Sequence, residues 1–93
     1  MADVLSEDEI EARVPDAWEY DDGEIRRTYE FEEYLRGVAF AQLVGEIAEA
    51  QFHHPTIEIR YGEVEITLTT HEAGGITEED VEMATLIESE SAD

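Results

Sequence analysis

The sequence predicts a mixed chain of three helices and two β-hairpins, in the order helix, hairpin, helix, hairpin, helix. Three observations carry that reading. Ser6-Glu7-Asp8-Glu9 and Thr77-Glu78-Glu79-Asp80 are capping boxes, and each opens a helix. Two segments alternate apolar and polar residues about glycine-bearing turns, Asp22-Gly23 and Gly62-Glu63. Between them a long stretch, 32–51, is apolar at helical spacing and must stop before Pro55, because the residue ahead of a proline is pushed to extended geometry.

Ser6 is the expected N-cap of a short helix that runs to about Arg13. Ile10 and Val14 share its inner face, and Leu5 serves as the hydrophobic staple. Pro15-Asp16 ends it. The first hairpin places Tyr20 opposite Ile25 and Trp18 opposite Arg27, a geometry suited to a cation–π contact. Ile25, Tyr29 and Phe31 fall on one face.

The long helix is expected to present Leu35, Val38, Ala39, Gln42, Leu43, Glu46, Ile47 and Ala50 in one stripe, widened by Phe40 and Val44. Gly37 and Gly45 offer places for another backbone to approach. Apolar residues cover more of the cylinder than a one-sided sheet requires, which predicts a subunit contact. In the second hairpin a type II′ turn at Gly62-Glu63 sets Ile57 opposite Leu68, Ile59 opposite Ile66 and Tyr61 opposite Val64. Extended outward, that register sets His54 opposite His71; a turn at Tyr61-Gly62 shifts it by two residues and keeps the histidines near neighbours. Ala73-Gly74-Gly75 reads as a flexible connection. The last helix starts after Thr77, is stapled by Ile76 and Val81, and runs to about Glu88 with Val81, Ala84, Leu86 and Ile87 apolar.

Ninety-three residues are read as one domain, 1–93, with one modest core that association would help. There is no cysteine, hence no disulfide framework and no thiolate metal site. The N-terminus is acidic from its third residue and has no apolar run, so neither a signal peptide nor a membrane span is expected, and the cytoplasm is the default compartment. Twenty-six acidic residues against five arginines give a formal charge of -21, and lysine is absent. Such a surface repels nucleic acid and anionic lipid. With 42% hydrophobic residues in clear periodicity, the chain is not a disordered acidic segment. It reads as a folded protein adapted to high salt, where a Debye length of roughly 3 Å at 1 M silences repulsion between carboxylates.

All three histidines, His53, His54 and His71, lie around the second hairpin. Imidazole titrates near neutrality, which suits it to carry protons. Glu49 sits one helical turn before His53, and Asp80 lies in the second capping box. A zinc site is disfavoured, because adjacent histidines diverge and no i, i+4 histidine pair exists. Nucleophilic catalysis lacks both a cysteine and a Gly-x-Ser-x-Gly elbow. General acid–base catalysis on a bound small molecule remains.

Glu49-x-x-x-His53-His54-Pro55, Tyr61, and then Thr69-Thr70-His71-Glu72-Ala73-Gly74-Gly75-Ile76-Thr77-x-x-Asp80 resemble the signature of the pterin-4a-carbinolamine dehydratases. The likeness extends to Leu5-Ser6, Trp18, Arg27-x-Tyr29-x-Phe31 and Ala39-Phe40, and covers nearly the whole chain. The resemblance implies an α+β fold, with a four-stranded antiparallel sheet and about three helices packed on one face, assembled as a dimer or tetramer. It implies dehydration of 4a-hydroxytetrahydropterin to the quinonoid dihydropterin, in tetrahydropterin recycling. His53 and His71 would then be the acid–base pair, and His54 would bind and orient the pterin beside Pro55. Glu49 and Asp80 would hold histidines or substrate, and Thr70 would line the pocket. No metal or organic cofactor is implied. The chain departs from many members at Ile57, where an aromatic residue two positions after the proline would offer a stacking surface. Two other roles compete with this one: a coactivator-type interaction module, and the handling of another pterin such as the molybdenum cofactor.

Overall fold

The structure, a computed structural model, describes residues 3–91. Helix α1 spans Glu7–Arg13, strand β1 Glu19–Asp21, β2 Glu24–Glu30, helix α2 Tyr34–Gln51, β3 Thr56–Arg60, β4 Glu63–Leu68 and helix α3 Glu78–Ser91. The strands form one antiparallel sheet in the order β1-β2-β4-β3. This is the α+β arrangement that the sequence suggested. Among the described residues no helix is long and apolar enough to cross a membrane.

Alternation makes the sheet one-sided. Directly paired residues share a face. The pairs Tyr20–Ile25, Ile25–Leu68, Arg27–Ile66, Tyr29–Val64 and Ile57–Ile66 therefore define one apolar face interrupted by Arg27. Ile25, Val64, Ile66 and Leu68 are fully buried there. The opposite face carries Glu24, Arg26, Thr28, Glu63, Glu65 and Thr67, a surface that packs no core. The helices cover the apolar side.

The first hairpin takes the expected register, with Asp22 and Gly23 both left-handed at its turn. The second is displaced from expectation by two residues. Arg60 pairs with Glu63, so Tyr61-Gly62 forms the turn, and Ile57 faces Ile66 rather than Leu68. Strand β4 is central and must also pair with β2, and the Phe31 N–H binds the Gly62 carbonyl at 2.9 Å. Those partners, rather than glycine chemistry at the turn, fix the offset. The shift is even, so every side chain keeps its face.

Helix α2 begins at Tyr34, with Glu33 as a cap whose side chain makes no capping hydrogen bond. It packs against α3, β4 and β3, and buries Gly37, Phe40, Ala41, Val44 and Ala48. The expected stripe is rotated: Leu35 is 75% exposed, and Ala39, Gln42, Glu46 and Ala50 also face outward. Small residues win the inner face because they let the helix settle close. A methyl group built on Gly37 would meet Val64 Cγ2 at 3.2 Å, whereas Gly45 faces open space. Phe40 packs its ring 4.6 Å from Tyr29 and 5.5 Å from Phe31.

The start of α1 follows the capping logic in full. Ser6 and Glu9 make the reciprocal box, and Ile10 is buried. Helix α3 extends to Ser91, three residues beyond expectation, and buries Val81, Met83, Ala84 and Ile87 while Leu86 remains exposed. Glu88, in its last turns, reaches the sheet. Glu88 Oε1 accepts from Trp18 Nε1 at 2.9 Å, Arg27 Nε at 3.2 Å and the Tyr29 hydroxyl at 2.7 Å. The Arg27 guanidinium consequently stacks on Tyr29, 4.2 Å from its centroid, in place of the expected contact with Trp18.

Candidate active site

The site is built where α2 ends, β4 ends and α3 begins. Phe52 caps α2 in the left-handed region, at φ 54°. The N–H groups of Phe52 and His53 both donate to the Ala48 carbonyl, so the chain turns sharply before Pro55. That turn sends two adjacent imidazoles in different directions. His53 is directed inward, its side chain 13% exposed, and His54 outward at 54%.

His53 meets the N-terminus of α3. Its Nε2 lies 2.6 Å from Asp80 Oδ1, and its Nδ1 lies 3.7 Å from Glu79 Oε1. Asp80 is fully buried. Its Oδ2 accepts from the Thr77 N–H at 2.9 Å and from the Thr70 hydroxyl at 2.6 Å. The Thr70 hydroxyl has given its hydrogen to Asp80, so Thr77 Oγ1, 3.0 Å away, must donate to it. Half of the predicted capping box is thus present: Asp80 caps the Thr77 N–H, while the Thr77 hydroxyl serves Thr70. Asp80 Oδ1 is an acceptor, so the His53 nitrogen that faces it, Nε2, carries a hydrogen.

The displaced hairpin register no longer sets His54 opposite His71 when it is counted outward past the strand ends. His53 and Thr70 share the Asp80 carboxylate. The segment after Thr70 is no flexible link. Thr70 and Gly75 form a bridge, and the Ala73 and Gly74 N–H groups both donate to the Thr70 carbonyl.

His71 rides on that tight loop and is exposed. It lines a cleft of about 270 Å³ with Asp22, Gly23, Glu24, Thr69 and Gly74. The Thr69 hydroxyl donates to the Gly23 carbonyl at 2.7 Å, pinning the first hairpin's turn beside the loop. Among the described residues His71 makes no side-chain hydrogen bond to His53 or His54. His54 instead pairs with Glu49, Nε2 to Oε2 at 2.6 Å, and the Phe52 ring stands edge-on to it. Glu49 therefore serves His54, although its helical spacing pointed at His53. Pro55 is half-buried beside them.

The structure thus brings together His53, Asp80 and Thr70, and separately His54 and Glu49, with His71 in its own cleft. Sequence reasoning missed Thr77 as a hydroxyl donor, Glu79 beside His53, and the wall formed by Asp22 and Glu24. The Thr-x-x-Asp box signals Thr77; the Asp22-Gly23 turn is legible in itself, but no local pattern signals that it stands beside His71. Among the described residues, no group of three or more histidine and acidic side chains is arranged to hold a metal ion.

The family model described as pterin 4 alpha carbinolamine dehydratase matches residues 3–90. The chain belongs to this family. A relative from Halobacterium salinarum, provisionally named a pterin-4-alpha-carbinolamine dehydratase, is 57% identical over 84 residues, covering 90% of this chain and 92% of the relative. One of the same name from Natronomonas pharaonis is 55% identical over 84 residues, covering 90% and 91%. A crystal structure of a transcriptional coactivator/pterin dehydratase from Brucella melitensis superposes with a TM-score of 0.85 at 31% identity, covering 94% of this chain and 97% of that one. The match to the pterin-4a-carbinolamine dehydratase family takes in all three histidines and Asp80.

Proposed function

We propose that this protein dehydrates 4a-hydroxytetrahydropterin by histidine acid–base catalysis, in the recycling of tetrahydropterin. The observation that carries the reading is the buried Asp80 carboxylate, which Thr70 and Thr77 orient and which in turn orients His53. A ring held through Nε2 presents Nδ1 as a positioned base. In this mechanism His53 removes the N5 proton. The N–H electron pair becomes the C4a=N5 double bond, the C4a–O bond breaks, and the hydroxyl departs as water with a proton from His71. His53 gains one proton and His71 loses one, so exchange with solvent resets the pair. His54, steadied by Glu49, contacts the pterin ring beside Pro55. The chemistry calls for no metal or organic cofactor.

The conditions follow from the surface. A formal charge of -21, together with close relatives from salt-loving archaea, supports a working environment of high ionic strength. The outward face of α2, with Leu35 75% exposed, supports a homo-oligomer, a dimer or tetramer, formed by copies of this chain. The same face favours a second reading as an interaction module, in line with the coactivator half of the Brucella protein's name.

The test is to generate the 4a-carbinolamine in situ at high salt and to follow its decay with and without protein. Acceleration proportional to protein concentration supports the dehydratase. Well-folded protein that leaves the decay unchanged removes that reading and leaves the interaction module.

A further inference from the structure

Phe52 lies in a conformation that its side chain disfavours. Its φ of 54° and ψ of 42° are left-handed, where a β-carbon crowds the backbone and glycine or asparagine is the usual occupant. Burial offers no compensation, because the residue is 87% exposed. Strain of this kind, kept without a packing reason, points toward function.

Three observations say what the ring is placed for. It stands beside the candidate site: its centroid lies 6.0 Å from that of His54, with the planes at 73°. Only the edge of one ring is used in that contact, so a flat face of Phe52 stays open. The other exposed aromatic rings among the described residues, Tyr34 and Tyr61, stack on each other at 6.4 Å and 12°. Phe52 has no such partner. Finally, Ile57, where an aromatic would otherwise be sought, is turned into the core opposite Ile66 and offers no ring to a ligand.

We propose that Phe52 is a substrate-binding residue whose open face stacks on the flat bicyclic ring of the pterin, beside His54. This rests on the dehydratase reading and names a determinant of its affinity. The left-handed cap is what makes the placement possible. It turns the chain so that His53 enters toward Asp80 while Phe52 and His54 remain at the rim. A flat conjugated ring is the fitting occupant, since aromatic faces prefer offset stacking.

The experiment compares wild type with Phe52→Gly, Phe52→Leu and Phe52→Trp at high salt. Binding of an oxidised, unreactive pterin is measured by calorimetry, with turnover, thermal unfolding and molecular mass alongside. Glycine suits the left-handed position, so Phe52→Gly should unfold at the same or a higher temperature while pterin binds roughly three- to tenfold more weakly, the range of one aromatic stacking contact. Leucine should weaken binding similarly, and tryptophan should restore it. In turnover the loss should fall on KM rather than kcat. Equal pterin affinity in wild type and Phe52→Gly overturns the proposal and leaves the dehydratase reading intact. So does a change of mass with unchanged affinity, which would mean that a second copy covers the ring. Wild type that neither binds pterin nor accelerates dehydration overturns both.

Discussion

His53 and Asp80 are joined by a 2.6 Å contact between Nε2 and Oδ1, across 27 positions of sequence. The contact couples the end of one helix to the first turn of another. A fully buried carboxylate in that position is costly unless each oxygen is satisfied. Thr70, Thr77 and His53 satisfy it, so the arrangement resists partial change.

Asp80→Asn keeps the shape but aims an amide N–H at groups that themselves donate. The variant should lose about 1–3 kcal/mol of stability. Turnover should fall on the order of 10²-fold, because His53 loses the acceptor that fixes its tautomer. Thermal unfolding and steady-state kinetics on the same preparation separate the two effects.

Thr70→Val removes one hydroxyl at nearly constant volume. It strips Asp80 of a donor and leaves the buried Thr77 hydroxyl without its acceptor. A loss of about 1–3 kcal/mol is expected by denaturant titration. Thr69→Val, which removes only the bond to the Gly23 carbonyl at a half-buried site, should cost less.

Glu88 contributes to the acid limb of stability. Burial alone would push its carboxyl up, but hydrogen bonds from Tyr29, Trp18 and Arg27, with the Arg27 charge, outweigh burial and hold it below the usual carboxylate range. A group with a depressed folded value stabilises fully above its unfolded value, about 4.3, and that contribution is lost as pH falls through the lower folded value. Glu88→Gln should therefore lower Tm near neutrality, and its gap from wild type should narrow below about pH 4. Tyr29 contributes to the opposite limb. Burial pushes its hydroxyl above the ordinary value, followed by the hydrogen bond to Glu88 and that residue's charge. Its contribution is present below about pH 10 and fades as pH rises further.

The outward face of α2 gives a prediction on assembly. Leu35→Asp lies at an exposed position, so it should change monomer stability by no more than about 0.5 kcal/mol. Sedimentation at high salt should nevertheless show a smaller particle than wild type.

Much of the fold was legible because local chemistry decided it. The Ser6–Glu9 box, the Asp22-Gly23 turn and the strand alternation each depend on neighbours in sequence. What failed depends on distant partners. The second hairpin slipped by two residues because β2 and Phe31 hold β4 from the other side. The stripe of α2 was misplaced because Gly37, Ala41 and Ala48 are buried while contributing little hydrophobic signal. Trp18 was assigned to Arg27 because nothing in the hairpin announces Glu88, 70 residues away. At the candidate site the residue types were readable and their pairing was not. Glu49 meets His54 rather than His53 because the left-handed turn at Phe52 breaks the helical phase on which the spacing argument relied.

The central claim is that His53 and His71 move the protons. The most direct measurement is carbinolamine dehydration at high salt by wild type, His53→Ala, His71→Ala and the double variant, each first shown to keep its fold and mass. The account predicts losses on the order of 10²-fold or more in each single variant, with the double variant well short of the product of the two. Single variants that turn over at the wild-type rate, in a protein that accelerates the reaction, would contradict it.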